Sequence, residues 1–281
     1  MAKVRRTVDD CLQKVVNKGI IRMISRLKEI YAYREMIVSL VKRDLKGRYK
    51  GSALGFLWTF LNPLFQLAVY TMVFSIIMRM GIKDYYLFLF VALIPWIFFS
   101  TSLSGGASCI MTQQDMVKKI YFPREVLPIS YVTSQFINML LSFIVIFVVL
   151  IFAGYRLNLL AILCLPVVMV VEYILALGLT MIMCALTVYL RDLEYVLGII
   201  TMAWQFLTPI MYSMDYVPEK YRWVFSLNPM TYVIVAYRDI LYYGKVPELK
   251  NLLSAIVIGI IALVIGWLVF ERLQKHFVEE L

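Results

Sequence analysis

The feature that most constrains this fold is a run of twenty residues that contains no charge. Residues 251–270, NLLSAIVIGIIALVIGWLVF, are almost entirely apolar, and a helix needs about 20 such residues to cross the hydrocarbon core of a membrane. Five other segments have a similar character. The six predicted spans are 56–79, 85–110, 129–153, 158–189, 194–212 and 251–270.

The composition agrees with a membrane environment. Of the 281 residues, 62% are hydrophobic and 16% are charged, whereas about 25% of the residues in a soluble domain are charged. One soluble core cannot bury so much apolar surface. An all-α integral membrane fold is therefore predicted, because helices satisfy their own backbone hydrogen bonds in lipid.

The positive charge lies mainly before the first span. The net charge is +10, and residues 1–50 hold 14 Lys and Arg against five acidic residues. A basic block beside a span is typical of a cytoplasmic segment, so both termini are predicted to be cytoplasmic and no nucleic-acid partner is expected. The predicted parts are a cytoplasmic basic segment, 1–50, and a six-span transmembrane domain, 51–281.

Two segments are predicted to be helices that do not cross the membrane. Residues 26–50 carry an apolar stripe with basic residues largely off it, which is typical of a helix in the plane of the inner surface, although a simple orientation anchor explains the pattern equally well. Residues 228–244 begin with Asn228 as a helix cap and Pro229 at the first helical position. Their helix of about 22 Å is too short for a span of ~30 Å, so a re-entrant or interfacial helix on the outer face is predicted.

The sequence offers no catalytic or metal-binding set. His276 is the only histidine, and the four cysteines show no paired spacing: Cys11, Cys109, Cys164 and Cys184. None of the 13 glycines begins a phosphate-binding loop. Glu172 is the only ionisable residue deep in a predicted span, and its role is open between pairing with a neighbouring hydroxyl or second subunit and relaying protons. The chain is therefore predicted to be a conduit that another component powers, not an enzyme.

The first span combines aromatic and amide side chains. At 100° per residue, one arc holds Phe56, Phe60, Tyr70 and Phe74. Trp58 lies on the opposite face. Asn62 and Gln66 flank the arc, and amides in a span should face protein or water. Aromatic faces beside amides suit sugar rings, while packing between helices by bulky side chains is the alternative explanation.

The stretch MVKKIYFPREVLPIS, 116–130, interrupts two apolar spans with several charges and two prolines. Thr112 and Asp115 have the spacing of a capping box for a short helix. Met116, Val117, Ile120 and Tyr121 would form one apolar face of that helix. Phe122 precedes Pro123 and is biased out of helical geometry, so the helix should end there. Such an amphipathic element can dock on another protein, and an interfacial turn held by its lysines is the alternative.

Several stretches in order resemble the permease subunits of polysaccharide-exporting ABC transporters. They are RDLKGRYKGSALGFLWTFLNPLFQ (43–66), VKKIYFPREVLPIS (117–130), YLRDLEYVLGII, LTPIMYSMDYVP and LNPMTYVIVAYRDIL. The resemblance covers about residues 40–270. Five such motifs in register are strong evidence, although none is decisive alone.

The resemblance implies partners and a substrate. The permease would form a homodimer with two ATP-binding cassette subunits, which bind ATP and Mg, so no cofactor is expected in this chain. The substrate would be a lipid-linked glycan such as an O-antigen, capsule or wall teichoic acid polymer, exported across the bacterial cytoplasmic membrane. An amphipathic helix along the inner surface and a lid of short outer helices before span six are also implied.

The resemblance also implies roles for four groups of residues. A coupling helix that contacts the ATPase would contain Asp115, Met116, Val117, Lys118, Lys119, Ile120, Tyr121, Pro123 and Arg124. The glycan channel would contain Phe56, Trp58, Phe60, Asn62, Gln66, Tyr70 and Phe74. The lipid diphosphate would meet Arg43, Lys46, Arg48 and Lys50, unless these only orient the first span. The outer lid would contain Tyr216, Tyr221, Trp223, Tyr232 and Tyr237, which an interfacial aromatic belt explains equally.

Three other functions agree with the sequence less well. A drug or small-lipid ABC exporter fits less well because of the amide-flanked aromatic span and the FPREVLP loop. A membrane glycosyltransferase would need acidic residues at a cytosolic surface, for which Asp192 and Glu194 are thin support. An ion-coupled secondary transporter would show an inverted repeat and further buried charges.

Overall fold

The computed structural model describes residues 26, 28–47, 54–155 and 158–281, and these residues form helices and connections without a strand. The predicted all-α class is confirmed. In chain order the helices are α1 (Arg34–Gly47), α2 (Trp58–Thr71), α3 (Tyr85–Ala107), α4 (Cys109–Thr112), α5 (Gln114–Lys119), α6 (Val126–Phe152), α7 (Leu159–Tyr189), α8 (Leu193–Phe206), α9 (Arg222–Leu227), α10 (Pro229–Leu241), α11 (Leu249–Leu273) and α12 (Phe277–Glu280). A π-helical segment, Met72–Ile77, continues α2.

Among the described residues, five helical segments are long and apolar enough to cross a membrane: Trp58–Ile77, Tyr85–Ala107, Val126–Phe152, Leu159–Tyr189 and Leu249–Glu280. Each overlaps a predicted span. The helix predicted over 194–212 is wrong in its extent, because α8 has only 14 residues and ends at Phe206. Pro209 lacks a backbone donor and biases Thr208 away from helical geometry, which explains why the helix does not continue.

Helix α3 lies at the centre of the bundle. Of its 23 residues 17 are buried, whereas only Pro63 is buried among the 14 residues of α2. It contacts α2, α6, α7, α8 and α10, and a helix that is hydrophobic on all sides is expected in such a position. Helix α2 is therefore peripheral in this chain, and its other residues are partly buried or exposed.

Helices α7 and α11 form the most extensive helix pair, and glycines allow their backbones to approach closely. A Cβ atom added at Gly178 would lie 2.5 Å from the Ala262 carbonyl carbon, and one added at Gly266 would overlap the Gly178 carbonyl group. Small residues at crossing points are typical of helix pairs in membranes. These two glycines fix the distance between the predicted fourth and sixth spans.

Helix α1 packs along α6. The side chains of Ile30, Leu40 and Val41 are buried, while Tyr31 of the predicted stripe is 69% exposed. The Asp44 carboxylate accepts a hydrogen bond from the Ser134 hydroxyl. The apolar stripe of this segment is thus directed in part at the bundle itself.

Three connections meet at one end of the bundle. The Tyr155 hydroxyl donates a 2.9 Å hydrogen bond to the Asp84 carboxylate, which joins the α6–α7 and α2–α3 connections. The Asn158 amide donates a 3.1 Å hydrogen bond to the Gly244 carbonyl, which adds the α10–α11 connection. The α3–α6 segment, residues 108–125, and the C-terminal residues lie at the opposite end.

Candidate functional site

The α3–α6 segment contains a shorter helix than the sequence predicts. Helix α5 has six residues and ends at Lys119, before Phe122 and Pro123 as expected. The predicted capping box is wrong: the Thr112 hydroxyl donates instead to the Ser108 carbonyl at 2.9 Å, because Thr112 completes the preceding turn, α4. Among the described residues, no side chain caps the N-terminus of α5.

The apolar residues of this segment do not form one face. Val117 and Phe122 are buried against the bundle, whereas Ile120 is 58% exposed and Tyr121 is 84% exposed. Lys118 is also exposed. The pair between Asp115 and Lys119 spans 3.6 Å at the surface, where such pairs stabilise little. The segment therefore presents Ile120 and Tyr121 as an apolar protrusion among lysines, supported by a buried base.

The end of the segment is fastened to the C-terminal end of α11. The Arg124 guanidinium donates to the Gln274 carbonyl and lies 5.9 Å from the centre of the Phe277 ring. The Gln274 amide donates a 2.8 Å hydrogen bond to the Glu125 carboxylate, which is 1% exposed. Burial lowers the pKa of Arg124 from its ordinary value, and the charge of Glu125 acts against that shift. We call Arg124, Glu125 and Gln274 the clamp.

A basic cavity of about 460 Å³ lies beside the protrusion. Its basic lining residues, among those described, are Arg26, Lys118, Lys119, Arg124 and Lys275. Three parts of the sequence contribute these side chains, so the sequence alone could not show that they share one cavity. The arrangement favours a partner surface that is acidic and has a recess for an aromatic side chain.

The predicted channel residues of α2 lie on two sides of that helix. Tyr70 and Phe74 face the bundle: the Tyr70 hydroxyl accepts from the Gln205 amide at 3.4 Å, and the Phe74 ring lies 6.4 Å from that of Tyr85. Trp58 and Asn62 are exposed, while Phe60 and Gln66 are partly buried. The π-helical continuation changes the rotation per residue near Phe74, which the ideal 100° step does not include. The Phe56 side chain lies outside what the structure describes.

Trp58 and Asn62 border a cavity of about 230 Å³ between α2, α3 and α6. The α6 wall is polar, because Gln135, Asn138 and Ser142 all line it. Their spacing of three and four residues places them on one helix face. This spacing is visible in the sequence and is the signal that the sequence analysis missed. A cavity with amides, hydroxyls and an indole ring can hold hydroxyl-rich groups.

The predicted phosphate-binding residues are only partly described. Arg43 and Lys46 are exposed at the end of α1, and Arg43 borders a small cavity with Asp44 and Ser130. Arg48 and Lys50 lie outside the described residues. Of the four basic residues, the structure therefore places only Arg43 and Lys46, both at the end of α1, and the phosphate-binding role stays a prediction.

Three of the predicted lid residues, Tyr216, Tyr221 and Trp223, are exposed, and Tyr232 is partly buried. Tyr221 and Trp223 are 53% and 62% exposed, the Tyr216 hydroxyl donates to the Met80 carbonyl at 2.7 Å, and the Tyr232 hydroxyl donates to the Ser226 carbonyl at 2.8 Å. Tyr237 differs from them, because it is fully buried and donates a hydrogen bond to Glu172. It anchors α10 inside the bundle and does not lie on an exposed face.

Helix α10 begins as predicted, with Asn228 at its N-cap and Pro229 at its first position. The side-chain oxygen Oδ1 of Asn228 accepts hydrogen bonds from the Met230 backbone N–H at 3.0 Å and from the Trp204 indole N–H at 2.8 Å. Its amide donates to the Leu207 carbonyl and the Thr208 hydroxyl. Asn228 therefore joins the start of α10 to the end of α8.

Arg238 occupies the other side of this junction. It is 4% exposed and donates to the carbonyls of Pro209, Ile210 and Tyr212. Its guanidinium also lies 3.6 Å from the centre of the Phe88 ring. The buried arginine thus satisfies carbonyls of the irregular segment that follows α8, where no helix supplies their partners. Nothing in the local sequence around Arg238 indicates these partners, because they lie 26 to 29 residues earlier in the chain.

The sequence profile of the ABC-2 type transporter family matches residues 35–242. The chain belongs to the ABC-2 type transporter family. It is thus a membrane component of a transporter and not an enzyme, and ATP hydrolysis belongs to a separate subunit. The match extends from α1 to the end of α10, so it includes the α3–α6 segment and the junction around Arg238.

Individual relatives cover nearly the whole ABC-2 chain. The O-antigen export system permease protein RfbA of Myxococcus xanthus is 36% identical over 261 residues, which is 92% of this chain and 100% of that protein. A protein of the same name from Klebsiella pneumoniae is 32% identical over 245 residues, 87% and 94% of the two chains. The polysialic acid transport protein KpsM of Escherichia coli is 24% identical over 246 residues, 85% and 93% of the two chains. The resemblance to polysaccharide-exporting permeases is confirmed.

Proposed function

We propose that this chain forms the membrane channel of an ATP-driven exporter that moves a lipid-linked polysaccharide or teichoic-acid-type polymer out of the bacterial cytoplasm. The observation that carries this proposal is the similarity to O-antigen export permeases along almost the whole chain, at 36% identity for RfbA of Myxococcus xanthus. The same comparisons favour a polysaccharide over the drug or small-lipid substrates of other ABC exporters.

The proposed contact with the ATP-binding subunits is the protrusion formed by Ile120 and Tyr121. An aromatic side chain that is 84% exposed beside lysines has the properties of an interface anchor, because such residues gain most when a partner pocket buries them. Two ATP-binding subunits, which hold ATP and Mg, would bind to two copies of this segment. Asp115 and Met116 at the base of the segment and Pro123 at its end would hold the protrusion in position.

The proposed topology has six crossings and both termini in the cytoplasm. Helix α8 and the irregular residues 207–212 would together make the fifth crossing. Helix α10 would be re-entrant on the outer side, since nine of its 13 residues are buried in the bundle and an interfacial helix would keep one side in contact with headgroups. Amphipathic α1 would lie at the inner surface, with Arg43 and Lys46 at the level of the lipid phosphates, together with Arg48 and Lys50.

The proposed channel lies between two copies of the chain. Helix α2 with its π-helical continuation and helix α8 both carry apolar side chains that this chain leaves exposed. They are Phe65 and Val69 on α2, Met72 and Ile76 on the continuation, and Tyr195, Ile199, Met202 and Phe206 on α8. Such surfaces favour association or contact with substrate. Trp58 and Asn62, beside the cavity with the polar α6 wall, would contact the glycan at its entry.

The decisive test is a double substitution in the protrusion, Ile120→Asp with Tyr121→Ala, in the full transporter. We expect normal membrane insertion, loss of co-purification with the ATP-binding subunit, and accumulation of lipid-linked polymer inside the cell. Tyr31→Ala is a matched control, because Tyr31 is also an exposed tyrosine (69%) at this end of the molecule. Normal co-purification and export by the double variant would exclude the proposed docking site.

A further inference from the structure

A second polar cavity lies at the end of the bundle opposite to the protrusion. It has a volume of about 500 Å³, within the range of small-molecule pockets, ~300–1,000 Å³. Its walls come from the turn at 213–215, from α9 and α10, and from the start of α11. Its lining includes Asp215, Arg222, Thr231, Arg238, Asp239 and Tyr243.

The charges of this cavity are balanced. Two arginines, Arg222 and Arg238, and two carboxylates, Asp215 and Asp239, line the same space. The Arg238 donors are already used by the carbonyls of Pro209, Ile210 and Tyr212, so this guanidinium has little capacity to hold a ligand. A phosphate or another anion would meet two carboxylates and only one available arginine. The cavity therefore favours a neutral ligand.

Its hydrogen-bonding groups suit a ligand with many hydroxyls. Thr231 is 5% exposed, and its hydroxyl has no hydrogen-bond partner among the described residues, which is unusual for a buried polar group. Asp239 is half-buried and adds two acceptor oxygens. The Tyr243 ring is 48% exposed at the same cavity, where it can contact the C–H face of a sugar.

We propose that this cavity binds a short pyranoside segment of the exported polymer after it has crossed the membrane. Neighbouring sugar hydroxyls would donate to Asp239 and to the Thr231 oxygen, and would accept from Arg222. The tyrosine rings would cover the apolar side of the sugar. A site of this kind at the exit would reduce backward movement of the polymer between strokes of the ATPase. The inference rests on the proposed export function and assigns it a second binding site.

The test uses a photoreactive residue in the complete transporter during export. p-Benzoylphenylalanine is introduced at Tyr243, or at Trp58 beside the other cavity, and adducts are detected by glycan staining of the purified chain. We expect glycan adducts from both positions. Asp239→Asn combined with Thr231→Val should lower the Tyr243 adduct by about tenfold, the loss expected when two hydrogen bonds to a ligand are removed, and should leave the Trp58 adduct unchanged.

The two positions separate the inference from the function on which it rests. Adducts at Trp58 without adducts at Tyr243 would overturn the exit site and retain the export function. A Tyr243 adduct that survives the double substitution would also overturn it, because the polymer would then pass without using these groups. Glycan adducts at neither position would overturn both proposals. A decrease of both adducts in the double variant would attribute the effect to lost folding and would likewise count against a local site.

Discussion

The Tyr237 hydroxyl donates a 2.7 Å hydrogen bond to Glu172 Oε2, and both side chains are fully buried. This bond joins α10 to α7 in the interior of the bundle. Of the roles left open for Glu172 by the sequence, pairing with a neighbouring hydroxyl is the one that the structure contains. The partner, Tyr237, lies on α10, 65 residues further along the chain.

We expect Glu172→Gln to retain stability and export, because the amide oxygen can still accept from Tyr237. Tyr237→Phe and Glu172→Ala should each lower stability by about 1–3 kcal/mol, since each leaves a buried polar group without its partner. Thermal unfolding of the purified protein measures the change, with Tyr195→Phe as a control at a tyrosine that is 79% exposed. If Glu172→Gln is stable but fails to export, Glu172 takes part in proton transfer instead.

The crossing of α7 and α11 should not tolerate a methyl group. Gly178→Ala and Gly266→Ala would each place a Cβ atom against the backbone of the opposite helix, and overpacking of this kind costs about 1–3 kcal/mol or more. Gly47→Ala is the control, because a Cβ atom there meets nothing within 4 Å among the described residues. Equal melting temperatures for all three variants would contradict close packing of α7 against α11 at these two glycines.

Arg238 should not be replaceable by lysine. One ammonium group cannot reach the carbonyls of Pro209, Ile210 and Tyr212 together, and a lysine stacks less well on the Phe88 ring. We expect Arg238→Lys to lower the yield and thermal stability of the folded protein by at least as much as the loss of one buried hydrogen bond, about 1–3 kcal/mol. Arg222→Lys, at an exposed arginine, should have wild-type stability, and similar losses in both variants would contradict the structural role of Arg238.

The clamp can be tested by exchanging its two side chains. Gln274→Glu would place a second carboxylate against buried Glu125, so it should uncouple or destabilise the transporter. The combination Glu125→Gln with Gln274→Glu restores an amide beside a carboxylate and should recover most export. ATPase-linked export by the single and combined variants measures this, with Glu279→Gln as a control at an exposed carboxylate. A combined variant as impaired as Gln274→Glu alone would show that the contact is not the cause.

Local patterns predicted those parts of the fold that depend on a few neighbouring residues. The apolar runs indicated the long helices, and Asn228 with Pro229 indicated the start of α10, because a cap acts within one turn. The bias of Phe122 before Pro123 likewise indicated that α5 ends before these residues. The basic side of 26–50 was identified, although its apolar residues are divided between α6 and open surface.

Contacts between distant residues explain what the sequence did not predict. The carbonyls that follow α8 have partners more than 20 residues later. Asn228 donates to the Leu207 carbonyl, and Arg238 donates to the carbonyls of Pro209, Ile210 and Tyr212. The clamp joins residues 149 positions apart. Tyr237 resembles the other tyrosines of the outer segment in sequence, and only the position of Glu172 distinguishes it from them. The prediction that four aromatic side chains share one side of the first span assumed an ideal α-helix. The helix becomes π-helical at Met72, which changes the direction of the side chains that follow.

The clamp also has a mechanical consequence. A displacement of the protrusion would reach α3 and α6 through the backbone, and it would reach the C-terminal end of α11 through Arg124 and Gln274. Because Gly178 and Gly266 allow α11 to pack closely against α7, we expect α3, α6, α7 and α11 to move together. In α2, by contrast, only Pro63 is buried, so its position relative to the other four helices would be the easiest to change.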